Sequence, residues 1–174
     1  MATSRQSAEE SKSTRRMFLA QSAVLTGSVA ATGLTAPRAV HAAGSDSLKI
    51  GLIGCGGRGA GAVASALSVH PDARLTAMCD AFKDRMVLSR NTLQKRCGQQ
   101  ITVDDDHLFD GFDGYQRLLE SGVDVVILAE APHFRPIHAE ACVEAGVHTF
   151  LEKPMAVDAP GVRRIQSAGQ KAEK

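Results

Sequence analysis

The sequence has no CxxC pair, no like-charge run longer than three residues, no internal repeat and no unbroken apolar span of membrane-crossing length. Each absence excludes something. The four cysteines, Cys55, Cys79, Cys97 and Cys142, lack any metal-like spacing, and they do not call for a disulfide framework, although an oxidising compartment leaves a disulfide open. Cys79 and Cys142 lie within apolar patterns and are expected as small core residues. No metal site is expected. Lys and Arg number 20 against 19 Asp and Glu, a near-neutral balance that argues against nucleic acid or an anionic membrane as partner, since both select basic patches. The apolar stretch from Met17 to about Thr35 is diluted by Gln21, Ser22, Thr26, Gly27, Ser28, Thr32 and Gly33. That argues against an anchor, which needs roughly 20 predominantly apolar residues.

What is present begins with a leader. In "STRRMFLA" the pair Arg15-Arg16 precedes Phe18 and Leu19 at twin-arginine spacing, the weakly apolar run follows, and Val40-His41-Ala42 suits a signal peptidase. The expectation is a twin-arginine signal peptide over residues 1–42, export to the periplasm, and one mature domain over residues 43–174. With the leader's five basic and two acidic side chains set aside, 15 basic and 17 acidic ones remain.

The mature part alternates strand-like and helix-like segments. "LKIGLI", "RLTAMCD", "VDVVILAE" and "VHTFLE" read as strands. Between them "AGAVASAL", "AFKDRMVLSRNTLQKRC", "GYQRLLES" and "RPIHAEACVEAG" read as helices, with "APGVRRIQSAGQKAEK" beginning one more. "ITVDDDHLFDGFD" is poorly defined. Within "VDVVILAE" the run from Val125 to Ala129 is unbroken apolar and begins with three β-branched residues, as a strand covered on both faces should. The pattern implies an α/β fold: a single Rossmann-type, doubly wound parallel sheet with right-handed crossovers.

Between the first strand and helix, Gly54, Gly56 and Gly59 form GxGxxG, with Gly57 and Arg58 completing the loop. The first glycine permits a tight turn and the second lets the backbone approach a pyrophosphate. The third lets the helix pack against the strand, and the helix N-terminus offers unpaired N–H groups. Asp80 ends the next strand 21 residues past Gly59, where a carboxylate accepts hydrogen bonds from an adenosine ribose. An acid there repels a 2′-phosphate, which favours NAD over NADP. Arg58, Lys83 and Arg85 are close enough in sequence to blur that preference, or are ordinary helix charge.

The stretch "VDVVILAEAPHFRPIHAEACVEAGVHTFLEKPMAVD" resembles the glucose-fructose oxidoreductase, inositol dehydrogenase and MocA (Gfo/Idh/MocA) family. The likeness is carried by the Pro-containing turn after the strand, His138 at the head of a helix, "AGVH", a strand, and then Glu152-Lys153-Pro154. It covers the mature chain and the nucleotide-binding half of the family's architecture. It implies that Lys153 sits beside the nicotinamide and a reacting hydroxyl, that Glu152 lines the cofactor site, and that Pro154 fixes the turn. Pro132 and His138 match the turn and helix start above the fourth strand, which makes His138 a catalytic candidate beside Lys153. His138 is equally a candidate helix cap. Where many members have Thr-Pro, this chain has Glu130-Ala131, an acid expected near the nicotinamide ribose.

Asp104-Asp105-Asp106 reads as a solvated loop, and His70, His107 and His133 have no evident partner. Members of the family continue into a second α+β domain, whereas one helix follows Pro154 here. The expectation is therefore the nucleotide-binding domain, lacking the second domain, of an exported oxidoreductase acting on sugars or polyols, with a possible homo-oligomer. The alternatives are a glycosidase-type relative, in which bound NAD oxidises C3 of a sugar and is then restored, and a chain that binds nucleotide without catalysis.

Overall fold

The structure is a computed structural model and describes residues 47–173. The residues expected to form a signal peptide, including Arg15, Arg16 and Val40-His41-Ala42, lie outside the described residues. In chain order the elements are β1 (Lys49–Ile53), α1 (Gly57–Val69), β2 (Arg74–Asp80), α2 (Lys83–Cys97), a 3₁₀ turn (Gly98–Gln100), β3 (Leu108–Asp110), α3 (Gly114–Glu120), β4 (Val125–Leu128), α4 (Arg135–Glu144), β5 (His148–Leu151) and α5 (Ala159–Ala172).

All strand pairs are parallel, in the order β3-β2-β1-β4-β5. The chain steps outward from β1 to β3, then returns to the other side of β1 at β4. The connections after β1 and β4 therefore leave the sheet in opposite directions and open a crevice at the carboxyl ends of these two central strands.

Each face of the sheet is covered by its own helices. Ile50, Leu52, Leu75 and Met78 pack with Val63 and Leu67 of α1 and Met86 and Leu93 of α2. Ile53, Ala77, Cys79, Val126 and Leu128 pack with Leu118 of α3 and Ala139 and Cys142 of α4. Leu75 and Met78 reach the same face although three residues apart, because the β1–β2 register slips between Ile50 and Gly51 and passes over one residue of β2. Cys79 and Cys142 are core residues as expected, and all four cysteines are free. Burial and the neighbouring Asp80 push the Cys79 thiol up to about 12, and burial pushes Cys142 up to about 11.

The poorly defined stretch resolves into an isolated bridge from Ile101 to Leu75 and the three-residue strand β3. Its buried side chains, Ile101, Val103 and Leu108, are too irregularly spaced to signal a period. Of the three acids beside it, Asp105 pairs with Arg90 at 2.7 Å and Asp104 with His107 at 2.6 Å. At the opposite edge, β5 leaves Phe150 exposed. An apolar groove of about 530 Å³, lined by Val143, Val147 and Ile165, runs between α4, β5 and α5 and holds none of the fingerprint residues.

Candidate dinucleotide site

Two glycines of the fingerprint are required by packing. Gly54 has φ +90°, and a Cβ built on it would lie 2.3 Å from Glu130 N, so the turn after β1 rests directly on the turn after β4. A Cβ at Gly59 would lie 2.1 Å from Gly54 O. The other two behave differently, since a Cβ at Gly56 or Gly57 would meet no protein atom within 4 Å. Gly56 caps α1 in an extended conformation without a side-chain cap, and no acid stands in the first turn. The first amides of α1 thus keep their donors, with the positive end of the helix dipole behind them. This bare cradle is what a pyrophosphate needs.

Asp80 stands at the end of β2 and holds the glycine turn. Its Oδ2 accepts from the Cys55 N–H at 2.8 Å and its Oδ1 from the Phe82 N–H at 3.1 Å, while the Gly54 N–H donates to Cys79 O at 2.9 Å. A cavity of about 400 Å³ opens beside it, lined among others by Gly54, Gly56, Asp80, Arg85, Glu130 and His138. Phe112 and Phe134 also border it, their ring centroids 5.5 Å apart. Arg85 lies over the Phe82 ring, 5.7 Å from its centroid.

The loops after β4 and β5 form the other half of the site. Glu152 is 4 % exposed, and its Oε1 meets Arg58 Nη2 at 2.7 Å. The hydrogen bond from Arg58 holds this carboxyl below the usual carboxylate range. Since β4 separates β1 from β5, this pair spans the carboxyl end of β4 and ties the glycine turn to the turn that carries Lys153. Lys153 is exposed and makes no ion pair among the described residues; it is joined to Pro154 by a cis peptide.

His138 faces the turn after β4 and the cavity beside Asp80. The histidine is 8 % exposed, its Nδ1 lies 3.2 Å from Glu130 Oε1, and its ring is 4.4 Å from the Tyr115 ring. It borders the cavity beside Asp80, which Lys153 does not line. Glu130 turns inward to meet it, and Glu130 Oε2 is buried without a partner. Pro132 sits half-buried in the turn between β4 and α4.

One buried residue at the junction of these turns carried no motif. Arg135 is 3 % exposed and donates from Nη1 to Glu152 O at 2.5 Å and to Pro154 O, and from Nη2 to Glu130 O. The available signal was its place as the first residue of α4, where a cation opposes the helix dipole.

The chain is similar to known proteins over part of their length. A glycosyl hydrolase family 109 protein 2 of Shewanella sp. (strain ANA-3) is 34% identical over 112 residues, covering 64% of this chain and 24% of the relative. Inositol 2-dehydrogenase 1 of Saccharopolyspora erythraea is 30% identical over 119 residues, covering 68% and 32%. Among solved structures, the WlbA dehydrogenase of Chromobacterium violaceum in complex with NADH and UDP-GlcNAcA superposes with a TM-score of 0.52 at 27% identity, covering 74% of this chain and 33% of that one. The chain thus spans about a quarter to a third of the length of these proteins. The model of the oxidoreductase family with an NAD-binding Rossmann fold matches residues 48–174, and by this match the chain belongs to the Gfo/Idh/MocA family.

Proposed function

We propose that residues 43–174 form the NAD-binding domain of an exported oxidoreductase acting on sugars or polyols. The observation that carries this reading is the Arg58–Glu152 pair, which draws the phosphate-type cradle and the Lys153 turn to one crevice. The cradle fits a dinucleotide: bare amides at the start of α1, a carboxylate at the end of β2, and a cavity between them. When bound, the nicotinamide supplies a hydride acceptor or donor. The protein's own share is to hold the phosphates on the amides of Gly57, Arg58 and Gly59 and to accept ribose hydroxyls at Asp80. Lys153 would place Nζ beside the reacting hydroxyl: as a neutral amine it takes up the hydroxyl proton as hydride leaves the carbon, and as the ammonium so formed it returns that proton to the developing alkoxide in the reverse direction. A sugar or polyol substrate agrees with the names of the inositol 2-dehydrogenase and the WlbA dehydrogenase relatives.

A second reading is favoured by the glycosyl hydrolase family 109 relative. The same crevice would then serve a cycle in which the dinucleotide is oxidised and reduced in turn, and the net reaction is hydrolysis. Measuring net NADH formation against glycoside cleavage on the same substrate separates the two.

Asp80 sets the cofactor expectation. Calorimetric titration of the wild type should give tighter binding of NAD(H) than of NADP(H), because a 2′-phosphate would meet the Asp80 carboxylate. Asp80→Ala should narrow the gap. It should also lower stability by about 1–3 kcal/mol, since the Cys55 and Phe82 amides lose their acceptor. Equal or reversed affinities in the wild type would refute the preference.

A further inference from the structure

We propose that Arg135 is the positioning residue of the lysine turn: its guanidinium holds the carbonyls of the residues on either side of Lys153 and fastens them to the turn after β4. The proposal rests on the reading of Lys153 as the group that faces the substrate.

The geometry is specific. The carbonyls of Glu152 and Pro154 belong to the residues immediately before and after Lys153, and both accept from Arg135 Nη1. Nη2 donates to the carbonyl of Glu130, the residue whose main chain abuts the Gly54 turn. The main chain of Lys153 is thus held on both sides while its side chain remains exposed. Glu152 is held a second time, through its carboxylate, by Arg58. A planar guanidinium can direct donors at two loops at once, and the ammonium of a lysine, a point charge on a flexible stem, has no such fork.

The arrangement is a poor device for stability alone. Arg135 is buried, makes no carboxylate ion pair among the described residues, and its Nε has no partner. A buried cation whose hydrogen bonds all go to carbonyls carries a desolvation cost that an apolar residue of similar size would avoid. It also stands at the helix end where a cation is disfavoured. What it adds is position. Lys153 lies on an otherwise exposed turn between β5 and α5, and a reacting group displaced by about 1 Å loses much of its effect.

The test compares the wild type with Arg135→Met and Arg135→Lys, using Arg164→Met on exposed α5 as the control for loss of an arginine. Hydrogen exchange is followed by peptide, and the acylation rate of Lys153 is measured against the other lysines. Arg135→Met should speed exchange at least tenfold in residues 152–158 and 130–134, leave β1 and β2 within twofold, and change the relative labelling of Lys153 at least threefold. Arg135→Lys should restore slow exchange to one loop and not to both, and it carries the test if the methionine variant does not fold. Arg164→Met should do none of this. Unchanged exchange at 152–158, or uniform acceleration across the sheet, would overturn the proposal. Titration of the wild type with NAD tests the functional reading separately: failure to bind would sink the reading and leave the exchange result standing, whereas binding without local loosening in the variants would sink the positioning role.

Discussion

A single methyl group discriminates between the glycines of the cradle. At Gly54 it would strike backbone atoms of Glu130 and Ala129 at a φ that side chains rarely adopt, and at Gly59 it would strike Gly54 O. Backbone cannot move aside as a flexible side chain does, so Gly54→Ala and Gly59→Ala should each cost more than about 2 kcal/mol by denaturant titration. Gly56→Ala meets nothing within 4 Å. It should leave stability within about 0.5 kcal/mol and yet weaken dinucleotide binding about tenfold or more by calorimetry, about 1.4 kcal/mol, because the methyl stands where the phosphates approach. A Gly56→Ala protein that bound as tightly as the wild type would remove the cradle from the site. Glu152 gives a prediction in pH. Its carboxyl is depressed in the folded state by Arg58, so its contribution is present above the unfolded value of about 4.3 and is lost as pH falls through the lower folded value. The stability gap between wild type and Glu152→Gln should be widest above pH ~5 and close on acidification; a gap that widens in acid would contradict the pairing. The glycines and Asp80 were legible because their spacing is fixed by one strand–turn–helix–strand unit. Arg135 and the Glu130–His138 pair were not, because their contacts depend on where three separate turns converge in space.

At the scale of elements, four of the five strands were legible, the edge strand β5 among them, and the edge strand β3 was not. β4 announces itself by an unbroken apolar run, whereas β3 is three residues long and pairs only with β2. Nothing local marks it; tertiary pairing with Met78, Cys79 and Asp80 makes it a strand. The register slip in β2 was equally hidden, since it exists only relative to β1. α5 occupies the other extreme, being amphipathic and held from outside. Ala168 is its buried residue, and its flank carries Arg164 and Lys171 against Glu140 and Glu144 of α4, pairs that are largely exposed and individually weak. Its start is better secured: Asp158 caps the helix by accepting from the Gly161 N–H at 2.7 Å. Asp158→Ala should therefore cost about 1 kcal/mol, with faster hydrogen exchange confined to the first turns of α5. Because the Lys153 turn leads into that helix, the loosening should reach residues 155–158 but stop at the carbonyls held by Arg135. Faster exchange throughout the sheet would show α5 to be coupled to the core more tightly than its contacts imply.

For the whole molecule, the export we propose raises the question of how a dinucleotide-binding domain would work outside the cell. Among the described residues no helix is long and apolar enough to cross a membrane; the transport we propose rests on the twin-arginine pattern within residues 1–42. The twin-arginine route carries proteins already folded, which allows the β1–α1 cradle to form and fill with dinucleotide inside the cell. Outside there is no free pool to draw on, so a dinucleotide that exchanged freely would be lost, and one restored within each reaction cycle would not. Export and cofactor retention therefore belong to one argument, and two substitutions test it. Replacing Arg15 and Arg16 together by Lys should leave the unprocessed precursor inside the cell, read by fractionation and immunoblot, with the fold of residues 43–174 unchanged. Unaltered yield outside would defeat the twin-arginine assignment. Wild-type protein recovered from outside the cell should release dinucleotide on acid denaturation, and Gly56→Ala, exported equally well, should release far less. If both came out empty, a cofactor carried through export would be ruled out, and the crevice would have to be loaded by some other means.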